Sequence, residues 1–252
     1  MNLRCLGSGS SGNCYLLSTE TETLILDCGL PIREIKKGLN WNISRVVAVL
    51  CSHSHLDHAK AVKDFENMGI PVVRFYEEPY RKYVKERKHI LPEINGVKRV
   101  ITYFYTIFIT VGSFKVMGIQ VPHDGAENYG FIIKVENQIL FYFTDFECCI
   151  PVLKCFEPNH ILVECNYQQG LVNQDLPNYV HKLKGHCSLE TCKSFIAANK
   201  TNALRTVILC HMGDETTIAE ECLSEVQKVA GEGVKCVCAS AGETVELSLY
   251  PF

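Results

Sequence analysis

Residues 49–59 read VLCSHSHLDHA, an apolar run followed by His53, His55, Asp57 and His58 within six positions. The run that leads in, Arg45 to Cys51, is continuous and apolar, as in a strand buried on both faces. The stretch that follows, Asp57 to Met68, has helical periodicity and stops at Gly69. A buried strand passing through such a turn into a helix is the unit of an α/β fold. His53 and His55, at i and i+2 in extended chain, project to one side. Asp57 and His58, where the helix begins, turn toward the same space from the other direction. Two pairs of ligands a few ångströms apart can each start a metal site, and a two-metal centre wants ions ~3.5–4 Å apart.

The missing ligands must come from other strand ends. His123 follows an apolar strand, Phe114 to Val121, in VPHDG; Asp145 follows Leu140 to Phe143 in FTDF; His211 follows Thr206 to Leu209 in VILCHMG. Sites in open α/β sheets collect where strands end, so these exits share a location. Around them the pattern reads as short strands at Leu3 to Leu6, Cys14 to Ser18 and Thr23 to Asp27, a helix at Pro31 to Leu39, and two or three strands within 100–121. A hairpin at 129–135 and 138–143 comes next. Strand and helix then alternate through 161–164, 189–199, 206–209, 216–230 and 234–238, with a last strand at 244–249. The expected class is α/β with mixed sheets: one domain over 1–252, made of two similar halves, about 1–123 and 124–252, whose sheets face each other with helices outside.

Composition narrows the function. The chain has 252 residues, 47% of them hydrophobic, which suffices for a full core. Its fourteen cysteines show no C-x-x-C pair, and the close pairs Cys148-Cys149 and Cys236-x-Cys238 lack zinc-knuckle spacing. They read as reduced, mostly buried thiols of a cytoplasmic protein. No run approaches the ~18–20 apolar residues that span a bilayer, so no membrane partner is expected. A net charge of −3 argues against a broad nucleic-acid-coating surface, leaving phosphate recognition to local groups.

The set HSHLDH, His123, Asp145 and His211, with Asp27 ahead of it in LILDCG, resembles the metallo-β-lactamase fold superfamily over almost the entire chain. The stretches LGSGSSGNCYLL, VECNYQQG and KGHCSLE are similar to its YycJ/WalJ-like branch. The resemblance implies an αββα sandwich of two mixed β-sheets with outer helices, a dinuclear metal centre, and nuclease or phosphodiesterase activity. It gives His53, His55 and His123 to one metal, Asp57, His58 and His211 to the other, and Asp145 to both. Asp27 would hold the His-rich loop by hydrogen bonds. His186, in KGHCS, resembles the proton donor of the tRNase Z branch. Asp57 and Asp145 would orient a hydroxide shared by the ions, and a residual positive charge would hold an anionic phosphodiester. The His and Asp donor set suits Zn²⁺ first and would also accept Mn²⁺.

Departures from the family narrow this further. Asp145 stands where zinc β-lactamases carry a cysteine ligand, which disfavours antibiotic hydrolysis. Neither the second lobe of the RNase J branch nor the extended arm of tRNase Z is apparent, so a long polynucleotide has little dedicated surface. Gly7 to Asn13, GSGSSGN, is either a phosphate nest, with Ser10, Ser11 and Asn13 as contacts, or a tight turn between strands. Asn166 and Tyr167 are further candidate substrate contacts. The run Tyr80 to His89, YRKYVKERKH, reads as a helix with a solvated basic face. His89, His160 and His181 read as surface or structural. The expected function is a dinuclear metal-dependent hydrolase of phosphodiester bonds acting on nucleic acid or a nucleotide. A nuclease is favoured over a cyclic-nucleotide or small-molecule phosphodiesterase. Thioester or lactone hydrolysis of the glyoxalase II type is the second class, and a homodimer is allowed.

Overall fold

The apolar runs on either side of the His-rich turn lie in a sheet of the computed structural model, which describes residues 1–94, 97–147, 152–175, 177 and 179–249; Cys148 and Cys149 lie outside them, and for 89–94 and 97–103 only the backbone is described. A meander of β1 (Asn2–Gly7), β2 (Cys14–Ser18) and β3 (Thr23–Leu26) leads through α1 (Ile32–Gly38) to β4 (Val46–Leu50), then α2 (Leu56–Ala59), α3 (Val62–Asn67) and β5 (Val72–Val73). The next run is β6 (Val84–Ile94), β7 (Val97–Thr106), β8 (Ile109–Val111), β9 (Phe114–His123), β10 (Ala126–Val135) and β11 (Gln138–Phe143). Strand and helix then alternate: β12 (His160–Glu164), α4 (Tyr179–Gly185), α5 (Leu189–Asn199), β13 (Thr206–Cys210), α6 (Ala219–Ala230), β14 (Lys235–Cys238) and β15 (Thr244–Glu246).

These strands form two mixed sheets, ordered β15-β1-β2-β3-β4-β5 and β14-β13-β12-β11-β10-β9-β7-β6, with β8 on β9. One core joins them face to face: Leu17, Leu24 and Leu50 from the first meet Phe131, Tyr142 and Leu162 from the second. A second core fills the space between the outer face of the second sheet and α5 and α6, and a third packs α1 and α3 on the first sheet. The result is the expected helix-sheet-sheet-helix sandwich. The chain crosses to the second sheet before β6, and β15 returns to the first, so the sheets do not divide at residue 123.

Three local expectations are corrected. The single helix at Asp57 to Met68 is two short ones, because the Ala61 N–H leaves the helix to donate to the Cys28 carbonyl and pulls the chain back against β3. The run Tyr80 to His89 is not a helix. A 3₁₀ turn at Arg81–Tyr83 gives way to β6, which pairs along its length with β7. Here a partner strand rich in Val, Ile, Tyr and Phe overrides helix propensity. The strand expected to run to Leu249 ends at Glu246.

The described cysteines are free thiols, and all but Cys155, Cys236 and Cys238 are buried. Among the described residues no helix is long and apolar enough to cross a membrane.

Tyr142 ties the two sheets together. Its ring stacks on Phe131 at 6.2 Å and meets Tyr15 of the facing sheet edge-on at 5.7 Å. Its buried hydroxyl donates to Asp27 Oδ2 at 2.5 Å. Tyr142→Phe keeps the packing and removes one donor from a buried carboxylate, so it should cost about 1–2 kcal/mol. In urea this appears as a lower unfolding midpoint with an unchanged slope.

Candidate metal centre

The site is assembled at strand exits. Asp27, Asp145 and His211, just past β3, β11 and β13, have φ of 56°, 54° and 47°. Left-handed backbone is unfavourable for such residues and tends to persist at functional sites. Each strand's last residues turn sharply here and deliver a side chain to a common space.

Asp27 is fully buried and organises the His-rich turn. Its Oδ1 accepts from the Ser52 N–H at 2.7 Å, and its Oδ2 accepts from Ser52 Oγ at 3.0 Å and His58 Nδ1 at 2.7 Å. His58 Nδ1 is thereby committed, and Nε2 faces Asp145 Oδ1 at 3.3 Å and Asp57 Oδ2 at 3.4 Å. The turn is pressed onto the exit of β3 at Gly29, where a Cβ would stand 1.7 Å from the Asp57 carbonyl oxygen, so only glycine fits. His53 Nδ1 lies 3.0 Å from Ser52 Oγ. His123 Nδ1 donates to the Gly185 carbonyl at 2.6 Å, which turns Nε2 toward His55 Nδ1, 3.1 Å away. His211 Nδ1 donates to Asp145 Oδ1 at 2.7 Å, and Asn128 Nδ2 holds the turn at Asp145 by its carbonyl.

Seven of the sequence candidates therefore come together. His53, His55 and His123 offer ligand atoms within 4.8 Å of one another, and so do Asp57, His58, Asp145 and His211. The two sets meet at Asp145, whose Oδ2 is 3.8 Å from His53 Nε2 and 3.9 Å from His123 Nε2. Whether these residues suit divalent ions is tested by their unmet bonds. His53 Nε2 and His211 Nε2 are buried with no hydrogen-bond partner. A buried ring nitrogen left unpaired is costly, and a cation bound at its lone pair meets the need. The donor set fits divalent ions.

Charge supports the same reading. Burial pushes His53 well below its usual pKa, and it takes His123 down to about 4, so both present neutral rings. At Asp145 burial works the other way but is outweighed by His211 and His58, which hold the carboxylate well below its usual range. At His58 burial is likewise outweighed, by Asp145 and Asp27, and the imidazole is held above its usual range. Ligation there would release that proton.

His186 stands beside this cluster, its ring 5.1 Å from that of His211 and 6.0 Å from that of His123. Its Nδ1 pairs with Glu164 Oε1 at 2.8 Å. Glu164 was not singled out from sequence. It ends the apolar strand β12 at the same edge as Asp145 and His211, and that position was the available signal. Its Oε2 accepts from the Cys187 N–H, and burial, reinforced by Asp145, raises its pKa well above the carboxylate norm. Asp145, Glu164, His186 and His211 also bring ligand atoms within 4.8 Å of one another.

The remaining candidates separate. Asn13 is buried, binds both backbone groups of Gly9, and sets Nδ2 3.1 Å from His58 Nε2. Ser10 and Ser11 are exposed. Ser8 is the loop's other contact, accepting from the His211 N–H at 2.8 Å. Asn166 donates to the His211 carbonyl and braces the turn after β13, while Tyr167 bridges to Ser188 at the start of α5. His160 is buried against Gln138, while His181 is exposed and pairs with Asp124; the side chain of His89 is not described.

His53→Ala or Asp145→Ala should lower the bound-metal stoichiometry measured by elemental analysis after dialysis. Asp27→Ala, which removes no ligand atom but frees the His-rich turn, should weaken metal affinity by about 10–100-fold. A competition titration with a chelating dye reads that change.

Comparison with known proteins agrees with this geometry. A family model described as the metallo-beta-lactamase superfamily matches residues 7–126. Exodeoxyribonuclease YycJ of Bacillus anthracis is 24% identical over 249 residues, covering 92% of this chain and 90% of that protein. The metallo-beta-lactamase fold protein YhfI from Bacillus subtilis superposes with a TM-score of 0.67 at 15% identity, over 97% of this chain and 98% of that one. The short form of human tRNase Z superposes with a TM-score of 0.59 at 13% identity, over 98% and 100%. A fold shared along nearly the whole length, with the family model matching the stretch that supplies His53 to His123, gives the chain the metallo-β-lactamase fold.

Proposed function

We propose that this chain, acting as one domain, is a metal-dependent hydrolase of phosphodiester bonds and works as a nuclease. The observation that carries the reading is the convergence of the His53 and His211 rings on one carboxylate, Asp145, with the Nε2 atoms of both rings buried and without a hydrogen-bond partner. The similarity to a protein named as an exodeoxyribonuclease supports the choice of bond. In this reading His53, His55 and His123 would hold one divalent ion and Asp57, His58 and His211 the other, with Asp145 available to both sets. Zinc is the favoured metal, since nitrogen and oxygen donors without sulfur suit it, and manganese is the alternative. Ions bound there would supply Lewis acidity toward a phosphoryl oxygen and an ionised water near neutral pH.

The chain's own groups do the rest. Asp57 and Asp145 orient the attacking water by accepting its hydrogen bonds, Asp57 from the more open side, its side chain 25% exposed. Asp27 fixes His58 by its Nδ1 proton, and the Gly185 carbonyl does the same for His123, so both rings keep Nε2 toward the site. His186 gives a proton from Nε2 to the departing oxygen while Glu164 holds Nδ1. The buried ring wall of His53, His58, His123 and His211 keeps bulk water from the reacting atoms.

Metal-reconstituted protein should hydrolyse bis-p-nitrophenyl phosphate and single-stranded oligonucleotides while leaving a β-lactam and a thioester intact, and exhaustive chelation should abolish the activity. His186→Ala should retain its metal and turn over about 10²–10⁴-fold more slowly, the range for lost general acid catalysis. Preferential turnover of the thioester would overturn the reading.

A further inference from the structure

Among the described residues, the β6–β7 hairpin is a long element that pairs with the rest of its sheet at one position. Beyond the single pairing Tyr105↔Ile119 to β9, the strands of the hairpin pair with each other. The register fixes where it points. β7 runs antiparallel to β9, so the backbone from Tyr105 back to Val97 climbs in the same direction as that from Ile119 to His123. His123 is four residues above the pairing and Val97 is eight. At ~3.3 Å per residue the hairpin therefore passes the level of the metal centre by about 13 Å.

The register also fixes which face carries charge. Lys85 lies opposite Tyr105, and Tyr105 opposite Ile119, so Lys85 and Arg87 share the face of the sheet to which Ile119, Val121 and His123 belong. Both are exposed, and among the described residues neither is in an ion pair, whereas Glu86, on the other face, is engaged by Lys88. Residues 84–106 hold five Lys or Arg against two Glu, a net of +3, in a chain whose total is −3. A positive arm on an otherwise acidic molecule, rising past the centre on the side of one of its histidines, matches a polyanion.

We propose that this hairpin is a docking arm for single-stranded nucleic acid, with Lys85 and Arg87 pairing with phosphates outside the scissile one. The proposal rests on the phosphodiesterase reading and extends it from small diesters to polynucleotides. A single strand is the fitting form because the rings of His53, His58, His123 and His211 are at most 1% exposed. His55 and Asp57 are the more open members, so the scissile phosphate approaches from their side, which a flexible strand does more readily than a rigid duplex.

The test is the double charge reversal Lys85→Glu/Arg87→Glu, placed on an exposed strand face remote from the ligands. Two assays are run with the metal-loaded protein. Hydrolysis of bis-p-nitrophenyl phosphate should be unchanged, which also reports that the variant is folded. For a 20-residue oligothymidylate, KM should rise at least tenfold with kcat nearly constant. The slope of log affinity against log salt, read by fluorescence anisotropy on His53→Ala backgrounds, should fall by about 1.4, or ~0.7 per lost single-strand phosphate contact. Equal oligonucleotide KM and salt slope in variant and wild type would overturn the arm while leaving the phosphodiesterase reading intact. Tighter binding of a blunt duplex than of the single strand would overturn it too. Absence of small-diester hydrolysis in the wild type would instead count against the reading beneath it, and the anisotropy would still decide whether the arm binds nucleic acid.

Discussion

The structure depends on one buried carboxylate accepting more hydrogen bonds than its neighbours could place elsewhere. Asp27 sits at 0% exposure in left-handed backbone and gathers the Ser52 N–H and hydroxyl, His58 Nδ1 and the Tyr142 hydroxyl. Three of those donors lie on the His-rich turn, and the fourth comes from the opposite sheet. Burying a charge is tolerable only when it is well solvated by such donors, so the ligand turn and the sheet-to-sheet contact have to form together. Folding of the sandwich and shaping of the centre are, at this residue, the same event.

The centre's other members follow a similar logic. Each is pinned by a neighbour: Asp145 through its carbonyl by Asn128, His211 through its backbone by Ser8 and Asn166, and His123 through its ring by the carbonyl of Gly185 on α4. Two sheets with aligned strand exits supply many such positions close together, and outer helices seal the faces. A shift in one support moves one ring against a fixed set, which is how residues remote from the reaction tune a metal site.

Much of this was legible in the sequence. The HSHLDH turn announced itself by density, and the three distant partners by recurring just past apolar strands. What escaped had tertiary causes. Glu164 is a lone acid at the end of an apolar run and gains meaning only when β12 lines up with β11 and β13. The break between α2 and α3 depends on a carbonyl of Cys28, some thirty residues away along the chain. The basic run after Tyr80 has local helix formers, and its strand form appears only with β7 beside it. In GSGSSGN the polar residues closest to the ligands are Ser8 and Asn13, a choice set by the loop's path and invisible in its composition.

The burial of the cysteines bears on the centre's selectivity for cations. Cys51, Cys165 and Cys210 each lie within two positions of a site residue, yet burial, and at Cys165 the neighbouring Cys192 thiol, raises the pKa of all three, that of Cys51 to about 12. Held as closed thiols, these three offer copper or cadmium no soft anchor and alkylating reagents no thiolate. Among the described residues, the centre thus presents nitrogen and oxygen to an arriving ion.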